Sequence, residues 1–117
     1  MALDSAVDPE DVSQWFRVWL DETHVYRSAR PPGREAWNDH FVWAEVIRVC
    51  LQVEPFPTSN GIYVYTRARP ESYVIPVEAE GGVELLKQLI QRKLFDAALA
   101  IEAASATEGL FCWPPEE

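Results

Sequence analysis

The stretch GREAWNDHFVWAEVIRVCLQV, residues 33–53, decides how the chain is read, because it is long enough for a helix and carries little polar surface. Asn38, Glu45 and Gln52 recur every seventh residue, and Arg48 lies three beyond Glu45, so on a helix they share one narrow polar stripe. The remaining circumference is apolar: Trp37, Phe41, Trp43 and Ala44 on one side, Val42, Val46, Val49 and Val53 on another, Ile47 and Cys50 between. The β-branched residues favour a strand. Against that, the apolar positions do not alternate with polar ones and the run outlasts an ordinary strand, so the pattern predicts a helix. A helix apolar around most of its girth is either the central element of a fold or half core and half interface. The second option makes Val42, Val46, Val49 and Val53 a self-association surface, most simply of a two-fold dimer, whose contact could instead be the edge strand of the hairpin downstream.

Upstream, residues 8–11 (DPED) read as a helix start: Asp8 can cap, Pro9 suits the first turn, and the acids face the positive end of the dipole. Val12, Trp15, Phe16, Trp19 and Tyr26 then follow at helical spacing, until RPPG at 30–33 turns the chain. Downstream, EPFPTSNG (54–61) is a loop by its prolines and Asn-Gly. IYVYTRA and SYVIPVEA read as two strands joined by a turn at 69–72, and Pro76, which cannot donate to a ladder, marks an edge strand. After Gly81-Gly82, residues 83–106 read as one helix with Leu86, Ile90, Leu94, Ala97 and Ile101 on one stripe. Gly109 separates it from LFCW, a short strand or an apolar tail. The expected architecture is a small single α+β domain over 1–117, with helices packed on a small antiparallel sheet and termini 1–7 and 114–117 loose. Its order is α-α-β-β-α with an optional final strand.

The 117 residues are 48% apolar, include five tryptophans and carry a net charge of −9. That composition is of a chain that folds. The acidic field repels nucleic acid and anionic membranes and steers a basic partner. No apolar run reaches the length of a membrane span, and the acidic start is unlike an export signal, so cytoplasmic residence is expected. Cys50 and Cys112 are then two reduced thiols, with Cys50 a small buried hydrophobe.

Catalytic patterns are missing from the sequence. His24 and His40 stand alone, without metal-ligand spacing, so no metal or cofactor is expected. No serine occupies a Gly-x-Ser-x-Gly elbow, and apolar neighbours raise rather than lower a thiol pKa at Cys50. Arg27, Arg30 and Arg34 form a local basic cluster whose acidic flanks favour internal ion pairing. Tyr63 and Tyr65 share one face of a strand and Tyr73 begins the next, a suitable set for a binding surface. Glu78 and Glu80 fall on one outer strand face, and Asp21-Glu22 are a solvated acidic pair.

These features point to a non-enzymatic, acidic protein-binding or inhibitor protein that blocks or escorts a basic, nucleic-acid-binding type of protein. In size and acidity it is of the immunity-protein, antitoxin and phage anti-defence kind. Its contact residues would be Tyr63, Tyr65, Tyr73, Glu78, Glu80, Asp21 and Glu22. A different class, a small-ligand sensor or enzyme, would place Trp37, Trp43 and Tyr63 around a pocket between sheet and helices, with Arg67 or Arg69 on an anionic group. A third is a structural subunit of a larger assembly.

Overall fold

The structure, a computed structural model, describes residues 11–55 and 60–115. It is mainly β, which overturns the α+β expectation and its α-α-β-β-α order. Strands β1 (Phe16–Leu20), β2 (His24–Ala29) and β3 (Trp37–Val42) form a three-stranded antiparallel meander. Strands β4 (Val46–Val53), β5 (Gly61–Thr66), β6 (Arg69–Pro76) and β7 (Gly109–Trp113) form a second antiparallel sheet in the order β6-β5-β4-β7. Helices α1 (Gly82–Gln91) and α2 (Ala97–Ala104) lie between β6 and β7 in the chain.

The first predicted helix is the β1–β2 hairpin. Phe16 and Val18 face inward from β1, and Val25, Arg27 and Ala29 from β2, which is a period of two. Asp21 closes the turn: its Oδ1 accepts from the backbone N–H of Thr23 (2.9 Å) and of His24 (2.7 Å). The predicted helix start lies at 8–10, outside the described residues. Asp11 does cap, but only a single 3-10 turn, Val12–Gln14, by accepting from Ser13 N–H.

The decisive stretch is two strands. A 3-10 turn at Trp43–Glu45 divides it, sending β3 into one sheet and β4 into the other. Each piece has ordinary strand length, and the β-branched residues sit where their propensity puts them. Trp43 anchors the division from the interior: its indole N–H donates to the Asp21 carbonyl at 2.9 Å, and Arg92 lies 4.0 Å over its ring. Val46, Val49 and Val53 are core residues of β4, and half-buried Val42 ends β3, so the four do not form a surface row for self-association.

The two sheets enclose one core. Phe16, Val18, Val25 and Phe41 from the first sheet meet Val49, Leu51, Ile62, Val64, Tyr73 and Ile75 from the second, with Leu85, Leu89 and Phe95 covering it from the helical segment. Arg27, only 8% exposed, ties the sheets together. Its Nε and Nη2 donate to both oxygens of Asp39 at 2.7 Å, and Nη1 donates to the Val74 carbonyl at 2.7 Å. Trp37 and Tyr73 contribute their rings to the guanidinium at 4.7 and 5.1 Å. A parallel bridge between Arg17 and Glu80 brings the chain after β6 alongside β1. There Val18 N–H donates to Glu80 O and Glu80 N–H to Phe16 O. Gly81 follows at φ +86, so close to the Val18 carbonyl that a Cβ would overlap it.

Downstream expectations fare better. The β5–β6 hairpin exists, with its turn at Arg67-Ala68 rather than 69–72. Residues 56–59 of the predicted loop are outside the described set. β6 is an edge strand, as Pro76 implies, and LFCW is β7, paired with β4. The long helix breaks in two: Lys93, at φ 63, ends α1, and Asp96 caps α2 by accepting from Leu99 N–H at 2.9 Å. Leu85, Leu89, Phe95 and Ala103 are the most buried positions of this segment, while Ile101 of the predicted stripe is 72% exposed. Cys50 and Cys112 face each other across β4 and β7 and form a disulfide, correcting the expectation of two reduced thiols.

Candidate functional site

Because β1 and β2 spend one face on the core, their alternate residues face solvent. On β1 these are Arg17 and Trp19; on β2, His24, Tyr26 and Ser28; on β3, Asn38, His40 and Val42. Arg30 is exposed beyond the end of β2 and its N–H donates to Trp15 O at 2.8 Å, while the Trp15 side chain packs against the core, its ring 6.0 Å from Phe16. Register then assembles the rings. Trp19 opposes Tyr26 and stacks on it, with centroids 5.6 Å apart. Tyr26 opposes His40 at 6.0 Å and stacks on His24 at 5.7 Å, and the two imidazoles are 5.5 Å apart. Arg17 lies 4.8 Å over the Trp19 ring. Ring-on-ring contact holds these side chains in place while leaving Trp19 38% exposed.

Asp21 sits at the hairpin end of this face. Its carboxyl is held down at about 2, first by the Thr23 N–H, then the His24 N–H, with the Tyr26 hydroxyl also donating to Oδ2 at 3.0 Å. The same bond raises the Tyr26 phenol. Thr23 Oγ1 lies 2.7 Å from His24 Nδ1. A carboxylate, a phenol and an imidazole are thus fixed in one corner by the turn.

The residues named from sequence are dispersed. Asp21 and Glu22 are exposed at the β1–β2 turn, at the edge of the aromatic face. Tyr63 and Tyr65 do share a face, the outer one of the second sheet, opposite Cys50 and Arg48 of β4. Tyr73 is on the inner side, 7% exposed, its ring 4.8 Å from Phe41 and 3.7 Å from the Arg69 guanidinium carbon. Glu78 and Glu80 belong to the turn and bridge after β6 rather than to one strand face, and both are exposed. The alternative pocket is not assembled. Trp37 packs on Phe16 and Arg27, Trp43 is buried at the 3-10 turn, and Tyr63 faces outward. Arg67 donates to the Ala44 carbonyl, and Arg69 to the Glu71 and Ser72 carbonyls. Of the clustered arginines, only Arg27 forms an ion pair among the described residues.

The sequence hides Trp19 and Tyr26 because they fit the apolar stripe of a predicted helix, and His24 and His40 because they stand apart without metal-ligand spacing. The signal that could have found them is Asp21-Glu22-Thr23, a polar turn cluster interrupting two β-branched and aromatic runs. Among the described residues no group of three or more His, Cys, Asp or Glu side chains converges to hold a metal ion, and no helix is long and apolar enough to cross a membrane. No family model matches this chain, and comparison with curated proteins and with solved structures finds no match.

Proposed function

We propose that this chain is a non-catalytic protein-binding module that engages a basic protein through the outer face of its three-stranded sheet. One observation carries the reading: Trp19, Tyr26, His24 and His40 are pre-stacked on a solvent-facing sheet surface, with Asp21 and Glu22 at its rim. Rigid aromatics give contact area at low entropic cost and make up the energetic centre of many interfaces. The net charge of −9 accelerates encounter with a basic surface, and the rim carboxylates orient it. Tyr26, bonded to Asp21, is already oriented before any partner arrives.

The test is affinity capture from the native host with three baits: wild type, Trp19→Ala/Tyr26→Ala, and Tyr63→Ala/Tyr65→Ala. The expected result is a basic protein retained by wild type and by the Tyr63/Tyr65 variant, lost by the Trp19/Tyr26 variant, and released by salt. A partner held equally by all three baits, or one indifferent to salt, overturns the reading.

A further inference from the structure

At the end of the same face away from Asp21, the surface dips into a cleft of about 300 Å³ between the Val12–Gln14 turn, the start of β1 and the end of β2. Trp15, Arg17, Ser28, Arg30 and Glu80 line it, with Ser13 and Gln14 at its mouth. We propose that this cleft binds a planar ligand bearing an oxyanion, either a phosphate monoester or a carboxylate. The inference does not depend on the protein-binding reading.

In a chain with 19 acidic and 10 basic residues, a cationic side chain has carboxylates in ample supply. Arg17 and Arg30 nonetheless form no ion pair among the described residues, where Arg27–Asp39 is the pair present. Two guanidiniums on one cleft leave an excess of one positive charge over Glu80, the carboxylate that shares it. Arg17 opposes Ser28 in the β1–β2 register and both line the cleft, while the Arg17 guanidinium also lies 4.8 Å over the Trp19 ring. Guanidinium forks and a hydroxyl are the donors that suit carboxylate or phosphate oxygens.

The walls of the cleft are also pinned. The Arg30 N–H to Trp15 O bond pins the wall on which the Trp15 ring is carried. The Glu80 bridge to β1 fixes the opposite side. Asp11, outside the cleft, accepts from Ser13 Oγ at 2.6 Å and from Gln14 Nε2 at 3.0 Å, so its charge is met by neutral donors of its own turn. Trp15 lines the cleft together with the two arginines and adds an aromatic wall to a cationic one, hence a planar ligand rather than a bare ion.

The test titrates the full chain with phenyl phosphate, benzoate and inorganic phosphate against sodium chloride at matched ionic strength. Arginine Nε–H and backbone amide resonances are the readout. Saturable shifts at Arg17, Ser28 and Arg30 are expected with the aryl oxyanions and not with chloride. Arg30→Gln is expected to weaken binding about tenfold, the loss of one charge-assisted hydrogen bond. Arg34→Gln, at an exposed arginine outside the cleft, should change it by less than about twofold. Tighter phenyl phosphate than benzoate supports a phosphate monoester, and the reverse order a carboxylate. Shifts reproduced by chloride, or equal losses in Arg30→Gln and Arg34→Gln, overturn the site. Inorganic phosphate binding as tightly as phenyl phosphate overturns the planar ligand.

Discussion

Arg27 is a single residue on which the joining of two sheets depends. It is a buried cation with both of its charged contacts and one backbone contact satisfied, so removing its counterion leaves an uncompensated charge inside. Asp39→Ala is therefore expected to destabilise the protein by about 2–4 kcal/mol in chemical denaturation, the lower part of the range reflecting the 31% exposure of Asp39. Arg27→Lys should not rescue the contact, because an ammonium cannot bond both Asp39 oxygens and the Val74 carbonyl in one plane. Asp21 gives a pH signature instead. Its folded value of about 2 lies below the ordinary 3.8, so the ionised form favours the folded hairpin. That contribution is whole above about pH 4 and fades as pH falls through 2. Asp21→Asn should thus be less stable than wild type at pH 5, and the two should converge near pH 2. A converging gap already complete at pH 4 would contradict the turn geometry.

At the scale of elements, the ends are set by local chemistry that the sequence displays unevenly. α1 stops at Lys93, whose left-handed φ of 63 accompanies Leu94 N–H to Leu89 O and Lys93 N–H to Ile90 O, the paired bonds of a Schellman ending. Glycine is the usual residue there. Lys93→Gly is expected to raise stability by about 0.5–1 kcal/mol, read from the thermal midpoint. Gly81→Ala should do the opposite, by about 2 kcal/mol or more, since both φ and the Val18 carbonyl refuse a Cβ. Without a glycine at 93, residues 83–106 present no visible break, which is why they read as one helix. The β1–β2 hairpin was hidden for a different reason. Its outer positions hold Trp19 and Tyr26 where polar residues normally declare an exposed face, so the alternation vanished and a 3.6-residue period fitted as well. The β5–β6 hairpin was legible because Pro76 marks an edge strand whatever its surroundings, although Pro70 drew the expected turn to 69–72 when it lies at 67–68. Asp21 and Glu22 were correctly seen as exposed acids. The rings beside them could not be, since the same spacing error that hid the hairpin turned its outer face inward.

Over the whole molecule, the disulfide closes 62 residues between β4 and β7. Chain-entropy arguments give such a closure roughly 4 kcal/mol of stabilisation. Denaturation with and without a thiol reductant should show a shift approaching that size, and a shift under about 1 kcal/mol would mean that β7 is held by its ladder and by α2 alone. Such bonds persist in oxidising compartments and are reduced in the cytosol. Trapping the thiols in native-host cells therefore tests the cytoplasmic expectation directly. Most other pairings are between neighbours in sequence: β1 with β2, β2 with β3, β4 with β5, β5 with β6.

The bond between Cys50 and Cys112 has a consequence for cutting the chain. The loop before β7 carries exposed Thr107 and Glu108, while β7 beyond it is laddered to β4 and covalently tied there. A protease that cleaves after Glu108 would not release a fragment. It would convert one polypeptide into a long piece and a short strand travelling together as a single mass. Reducing gels should separate them and non-reducing gels should not, and the native form should keep its sheet through the nick.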